Sequence, residues 1–93
     1  MILEIVSPEA SLFKGEITSV SVPGVDGSFQ ILNNHAQIVS LLQKGNVQIT
    51  APSFNLNKEA KSLFTKVNET TYTFAISSGT LEMQNNKVNV LAD

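Results

Sequence analysis

Apolar residues in this chain recur at every second position, in runs too short for ordinary helices, and turn-forming residues interrupt each run. In 70–77, Tyr72, Phe74 and Ile76 alternate with Thr71, Thr73 and Ala75. In 16–22, Thr18, Val20 and Val22 alternate with Ser19 and Ser21. Side chains at i and i+2 share a face in an extended strand, so this period predicts half-buried β-strands. The punctuation agrees. Asn85-Asn86, between 80–84 and 87–91, suits a two-residue hairpin turn with both central φ angles positive. Gly24-Val25-Asp26-Gly27 offers two glycines around an acidic turn, again where a chain reverses.

The same reading predicts further strands at 2–7, 11–13, 28–32, 37–43 and 46–51. Pro8 should end the first, and Pro23-Gly24 should stop the strand at 16–22. The inward set is Phe29, Ile31, Val47, Ile49, Phe74, Ile76, Val88 and Val90. Residues 37–43 show no clean period, but the run is short and Ile38 and Val39 are β-branched, which favours a strand. Residues 58–67 fit a helical turn through Ala60, Leu63, Phe64 and Val67, or a strand through Leu63, Thr65 and Val67. The strand fits slightly better, since Asn68-Glu69 then turns into the next. About ten short strands imply an all-β fold, an antiparallel β-sandwich or flattened barrel. Residues 1–93 form one domain of a size that can bury its own core.

Composition removes several functions. The six basic residues are all lysines, scattered along a chain of net charge −2, which disfavours gripping a nucleic acid or a nucleotide. There is no cysteine and one histidine, His35, too few ligands for a transition-metal site. No serine sits in a nucleophile elbow, and Gly27 leads into a strand rather than a phosphate-binding helix. Neither a catalytic residue nor a cofactor is therefore expected. No apolar run approaches the roughly 20 residues that cross a bilayer, and Glu4 with no preceding basic residue argues against a signal peptide. Ser7, Ser19, Ser21, Ser40, Thr71 and Thr73 should face outward as a neutral face, cheaper to desolvate than a charged one.

One resemblance covers most of the chain, least convincingly at 52–70. The order of the Ser-Pro-Glu element at 7–9, Phe13 to Gly15, the Gly-x-x-Gly turn, Asn34-His35-Ala36, the leucine-rich strand and the final Ser-Gly-x-Leu-Glu and Val-Leu-Ala-Asp resembles the N-terminal β-sandwich of F-type ATP synthase epsilon subunits. That resemblance implies a non-catalytic central-stalk protein. It would couple the gamma subunit to the membrane c-ring of a proton-translocating rotary engine, peripheral to the cytoplasmic face of a bacterial inner membrane. It also implies gamma contacts at Ser7, His35 and Ser40, and c-ring contacts at Asp26, Gly27, Ser28 and Phe29. Where many relatives carry an acidic residue after the second glycine, this chain has Ser28. Many also continue into two C-terminal helices that brake ATP hydrolysis; the sequence ends at Asp93, so no such brake is expected in it. The rival reading is a free-standing β-sandwich that binds a glycan or peptide.

Overall fold

The computed structural model describes residues 1–56 and 58–93, together with all their side chains except that of Glu59. Ten strands form: β1 Ile2–Val6, β2 Ser11–Glu16, β3 Ser19–Gly24, β4 Gly27–Leu32, β5 Ile38–Leu42, β6 Gly45–Thr50, β7 Phe64–Asn68, β8 Thr71–Ile76, β9 Gly79–Gln84 and β10 Lys87–Ala92. A single helical turn, α1 Lys58–Lys61, precedes β7. Both alternatives for 58–67 thus hold in succession. The inward residue of β7 is Phe64, however, while Leu63 and Val67 are exposed.

The strands follow the order β2-β1-β10-β9-β5-β3-β6-β8-β7, with β4 beside β3. Between β5 and β3 the ladder consists of one register pair, Gly24 with Leu42, and there the ribbon folds into two layers. One layer is β2-β1-β10-β9-β5 and the other β4-β3-β6-β8-β7. All pairings are antiparallel except β1 with β10, which lie parallel from Ile2–Lys87 to Val6–Leu91.

Between the layers lies one apolar cluster. Leu3, Ile5, Leu81, Met83, Val88 and Val90 come from the first layer and Val20, Val22, Ile31, Val47 and Ile49 from the second, all essentially inaccessible. Burying each such side chain contributes about 1.5–3 kcal/mol relative to leaving it in water. Of the expected core, Phe29 is half-buried and the other seven members are buried. The outer edges, β2 and β7, approach across an aromatic group. Phe13 lies 6.3 Å from Phe64 and 6.1 Å from Phe54, whose ring is 4.3 Å from Tyr72. That contact, with buried Ala60 of α1, gives the sandwich its flattened-barrel closure.

Three expectations need correction. Strand β3 runs through Pro23 to Gly24 instead of stopping before them, and β2 runs on to Glu16. Pro23 pairs with Ser28 on the β4 side. On the other side it falls between the β6 ladder, which ends at Ser21, and the single β5 pair at Gly24, so no ladder bond there needs its missing N–H. Ser19 and Thr71, expected as part of an exposed neutral face, are buried: with Thr50 between them they form a row flanked by Leu32 and Asn68, on the same side of the sheet as Ser21 and Thr73.

Candidate docking surface

The outward faces of the two layers differ. Across β4, β3, β6, β8 and β7 one row reads Gln30, Ser21, Gln48, Thr73, Thr65, polar and uncharged throughout. Across β5, β9, β10 and β1 one row reads Leu41, Thr80, Leu91, Val6, and the next Val39, Glu82, Asn89, Glu4. Val39 is 69% exposed, Leu41 61%, Leu91 54% and Val25 49%. Val25 joins them from the β3–β4 turn, its N–H donating to the Leu41 carbonyl at 3.0 Å. A contiguous set of exposed branched apolar side chains on a small domain is a docking surface, because water gains by its removal.

Local backbone explains why this stripe is continuous. Gly79 opens β9 beside Ala92 and Leu42; an added Cβ would sit 2.4 Å from the Leu91 carbonyl oxygen. Only glycine lets β10 lie this close and hold Leu91 in the row with Thr80 and Leu41. The rim is tied by Asp93, whose N–H donates to the Ser78 carbonyl at 3.2 Å while its carboxylate accepts from Ser78 Oγ at 2.8 Å.

The turn at 24–27 stands at the same end. Gly27 has φ +124°, a conformation side chains rarely adopt, and the Phe29 ring lies against Gly24, where a Cβ would meet it at 2.8 Å. Asp26, Gly27 and Ser28 are exposed and Phe29 is half-buried. This turn is therefore contiguous with the apolar stripe through Val25.

Ser7, His35 and Ser40 do not converge. Ser7 follows β1 at the Asp93 rim, half-buried, its N–H donating to the Ala10 carbonyl at 2.9 Å. His35 is exposed at the opposite end, where Asn34 N–H donates to Asn86 Oδ1 at 2.8 Å. A five-residue strand, roughly 17 Å, separates the two ends. Ser40 pairs with buried Leu81 and so points inward, half-buried; the outward expectation for it is corrected. The outward neighbours on β5 are Val39 and Leu41. Sequence reasoning missed these two, with Val25, Glu82 and Leu91. The signal was a strand apolar on both faces, which implies cover on both.

Among the described residues no three His, Cys, Asp or Glu side chains gather as a metal site, and no helix is long and apolar enough to cross a membrane. The arrangement is that of an adhesive module, one apolar sheet face running into an exposed turn.

The family of ATP synthase delta/epsilon chain β-sandwich domains matches residues 1–93. The chain is 33% identical to the ATP synthase epsilon chain of Protochlamydia amoebophila, over 98% of its own length and 52% of that relative. It is 35% identical to the epsilon chain of Chlorobium limicola over 98% of its length and 86% of the relative, and 37% identical to that of Neisseria meningitidis serogroup C over 100% and 56%. In structure it is similar to a chain of the Euglena gracilis mitochondrial ATP synthase complex of OSCP, F1 and c-ring, with TM-score 0.77 and 15% identity, over 99% of this chain and 49% of that one. A chain of the Tetrahymena thermophila mitochondrial ATP synthase central stalk and c-ring gives TM-score 0.73 at 13% identity, covering 99% and 62%. The chain belongs to the ATP synthase delta/epsilon family, as its β-sandwich domain. It spans about half the length of several of these relatives.

Proposed function

We propose that this chain is the β-sandwich of an epsilon-type central-stalk subunit. Its role is to couple the gamma subunit to the c-ring of a proton-driven rotary ATP synthase, peripheral to the cytoplasmic face of a bacterial inner membrane. By itself it is no enzyme. The observation that carries the reading is the outward row Leu41, Thr80, Leu91, Val6, which runs through Val25 into the turn Asp26-Gly27-Ser28-Phe29. An apolar sheet face suits a lasting grip on gamma, while the exposed turn at one end of the sandwich suits contact with polar loops of the ring. Ser7 and His35 then flank the gamma contact at the two ends of the layer, and Ser40 backs it from beneath.

The glycan-binding alternative is disfavoured by the aromatics. Phe13, Phe64 and Phe74 are buried, and Phe29, Phe54 and Tyr72 are half-buried, so none offers an open ring platform. The test is co-purification of the tagged chain from its native membranes. Gamma and c subunits are expected with it; recovery of the chain without gamma overturns the reading.

A further inference from the structure

One carboxylate borders the apolar stripe without a counter-charge. Glu82 lies in register between Val39 and Asn89, on the outward side of β9, and Thr80 and Leu91 border it in the adjoining row. Among the described residues it forms no ion pair. Strand β5 carries no lysine, and the single lysine of β10, Lys87, directs its ammonium to Glu4 at 3.9 Å. In the free chain water solvates Glu82 at little cost. Under a partner the same carboxylate loses that water, and an unpaired ionised group in a dry contact is strongly unfavourable.

The geometry points to Glu82 as the residue that sets the register of the docked partner, with a lysine or arginine of the gamma subunit opposite it at the polar border of the apolar row. This deepens the proposed function and rests on it. Apolar faces supply adhesion but slide, since one branched side chain packs against another in many positions. A single charge pair selects one of them, and mismatched positions leave Glu82 without a partner. For a subunit placed between two rotating components, a fixed angular register is the property that an apolar stripe alone lacks.

The test measures binding of the full 93-residue chain to the gamma subunit of the same organism, for the unmodified chain, Glu82→Gln, Glu82→Lys and Leu41→Asp, each checked for folding by circular dichroism. Glu82→Lys is expected to weaken binding on the order of tenfold or more, and Glu82→Gln less. Binding of the unmodified chain should fall with salt more steeply than that of Glu82→Gln. A lysine- or arginine-to-glutamate change on gamma should restore Glu82→Lys. If Leu41→Asp abolishes binding while Glu82→Lys binds like the unmodified chain, the register inference fails and the stripe reading stands. If neither change weakens binding, the stripe reading fails and takes the inference with it. If the stripe instead holds a second copy of this chain, sedimentation shows a dimer that Leu41→Asp dissociates, and the inference is overturned.

Discussion

Ser40 stands directly opposite Leu81 across the β5–β9 ladder, on the side of the sheet where Leu81 is fully buried. Its hydroxyl donates to the Leu41 carbonyl at 3.2 Å, and the next side chain, Leu41, projects to solvent. Strand β5 is therefore apolar on both faces, with Ile38 and Leu42 inward beside Ser40 and Val39 and Leu41 outward.

The two faces separate stability from binding. Ser40→Glu pushes a charge toward the core and is expected to cost about 1–3 kcal/mol of stability. Leu41→Asp places its charge in water and should change stability by no more than about 0.5 kcal/mol. In a gamma pull-down the order reverses, with Leu41→Asp the more damaging per folded molecule. Urea unfolding of both variants, set beside the pull-down, reads the two effects independently.

Phe74 pairs with Val47 and stacks on Phe64 with ring centres 5.0 Å apart, whereas Phe29 is half-buried over Gly24. Phe74→Ala should cost about 3–5 kcal/mol because the cavity cannot close against two sheets. Phe29→Ala should cost about half as much, since water already reaches part of its ring. Denaturant unfolding that ranked Phe29 above Phe74 would show that the first ring, not the second, anchors the core.

What was legible in the sequence was local. The hairpin at Asn85-Asn86 has φ angles of 53° and 59°, as two consecutive asparagines imply, because left-handed tolerance belongs to the residues themselves. The inward set followed from a period of two. What was not legible depends on which element covers which. Strand β5 gives no alternation to read, so nothing in it shows that its one hydroxyl faces inward while Val39 and Leu41 face solvent. Pro23 continues β3 because the neighbouring ladder changes partner there, a fact of topology. The turn at 24–27 could be read from its glycines; its continuity with Leu91 could not, since that neighbour comes from far along the chain.

The two hairpin asparagines predict different costs. Asn86 Oδ1 accepts from Asn34 N–H at 2.8 Å, and its Nδ2 donates to Asn33 Oδ1 at 2.9 Å, tying the β9–β10 turn to the β4–β5 connection. Asn85 has no such tie among the described residues, so Asn85→Gly keeps the positive φ and should be close to neutral. Asn86→Gly keeps the φ as well but loses both bonds, and should cost about 1 kcal/mol, near the low end for two bonds because the site is partly exposed. Thermal unfolding of the pair isolates the tie from the turn. Equal midpoints would show that it contributes nothing.

Gly27 and Gly79 are both required, for different reasons, and alanine distinguishes them. At Gly27 a Cβ meets nothing within 4 Å, so Gly27→Ala carries only the strain of φ +124°, on the order of 1–3 kcal/mol, and leaves the stripe in place. At Gly79 the backbone is unstrained, but a Cβ lies 2.4 Å from the Leu91 carbonyl oxygen and 3.5 Å from Ala92 Cα, both main chain. No side-chain rotation relieves that contact, so β10 must move, and Leu91 moves with it. Gly79→Ala should therefore lower stability and also lower the gamma affinity of the molecules that remain folded. Gly27→Ala should lower stability with gamma affinity kept. Gamma binding by folded Gly79→Ala at unmodified strength would show that the position of Leu91 does not matter to the contact, and would remove one of the two leucines on which the stripe depends.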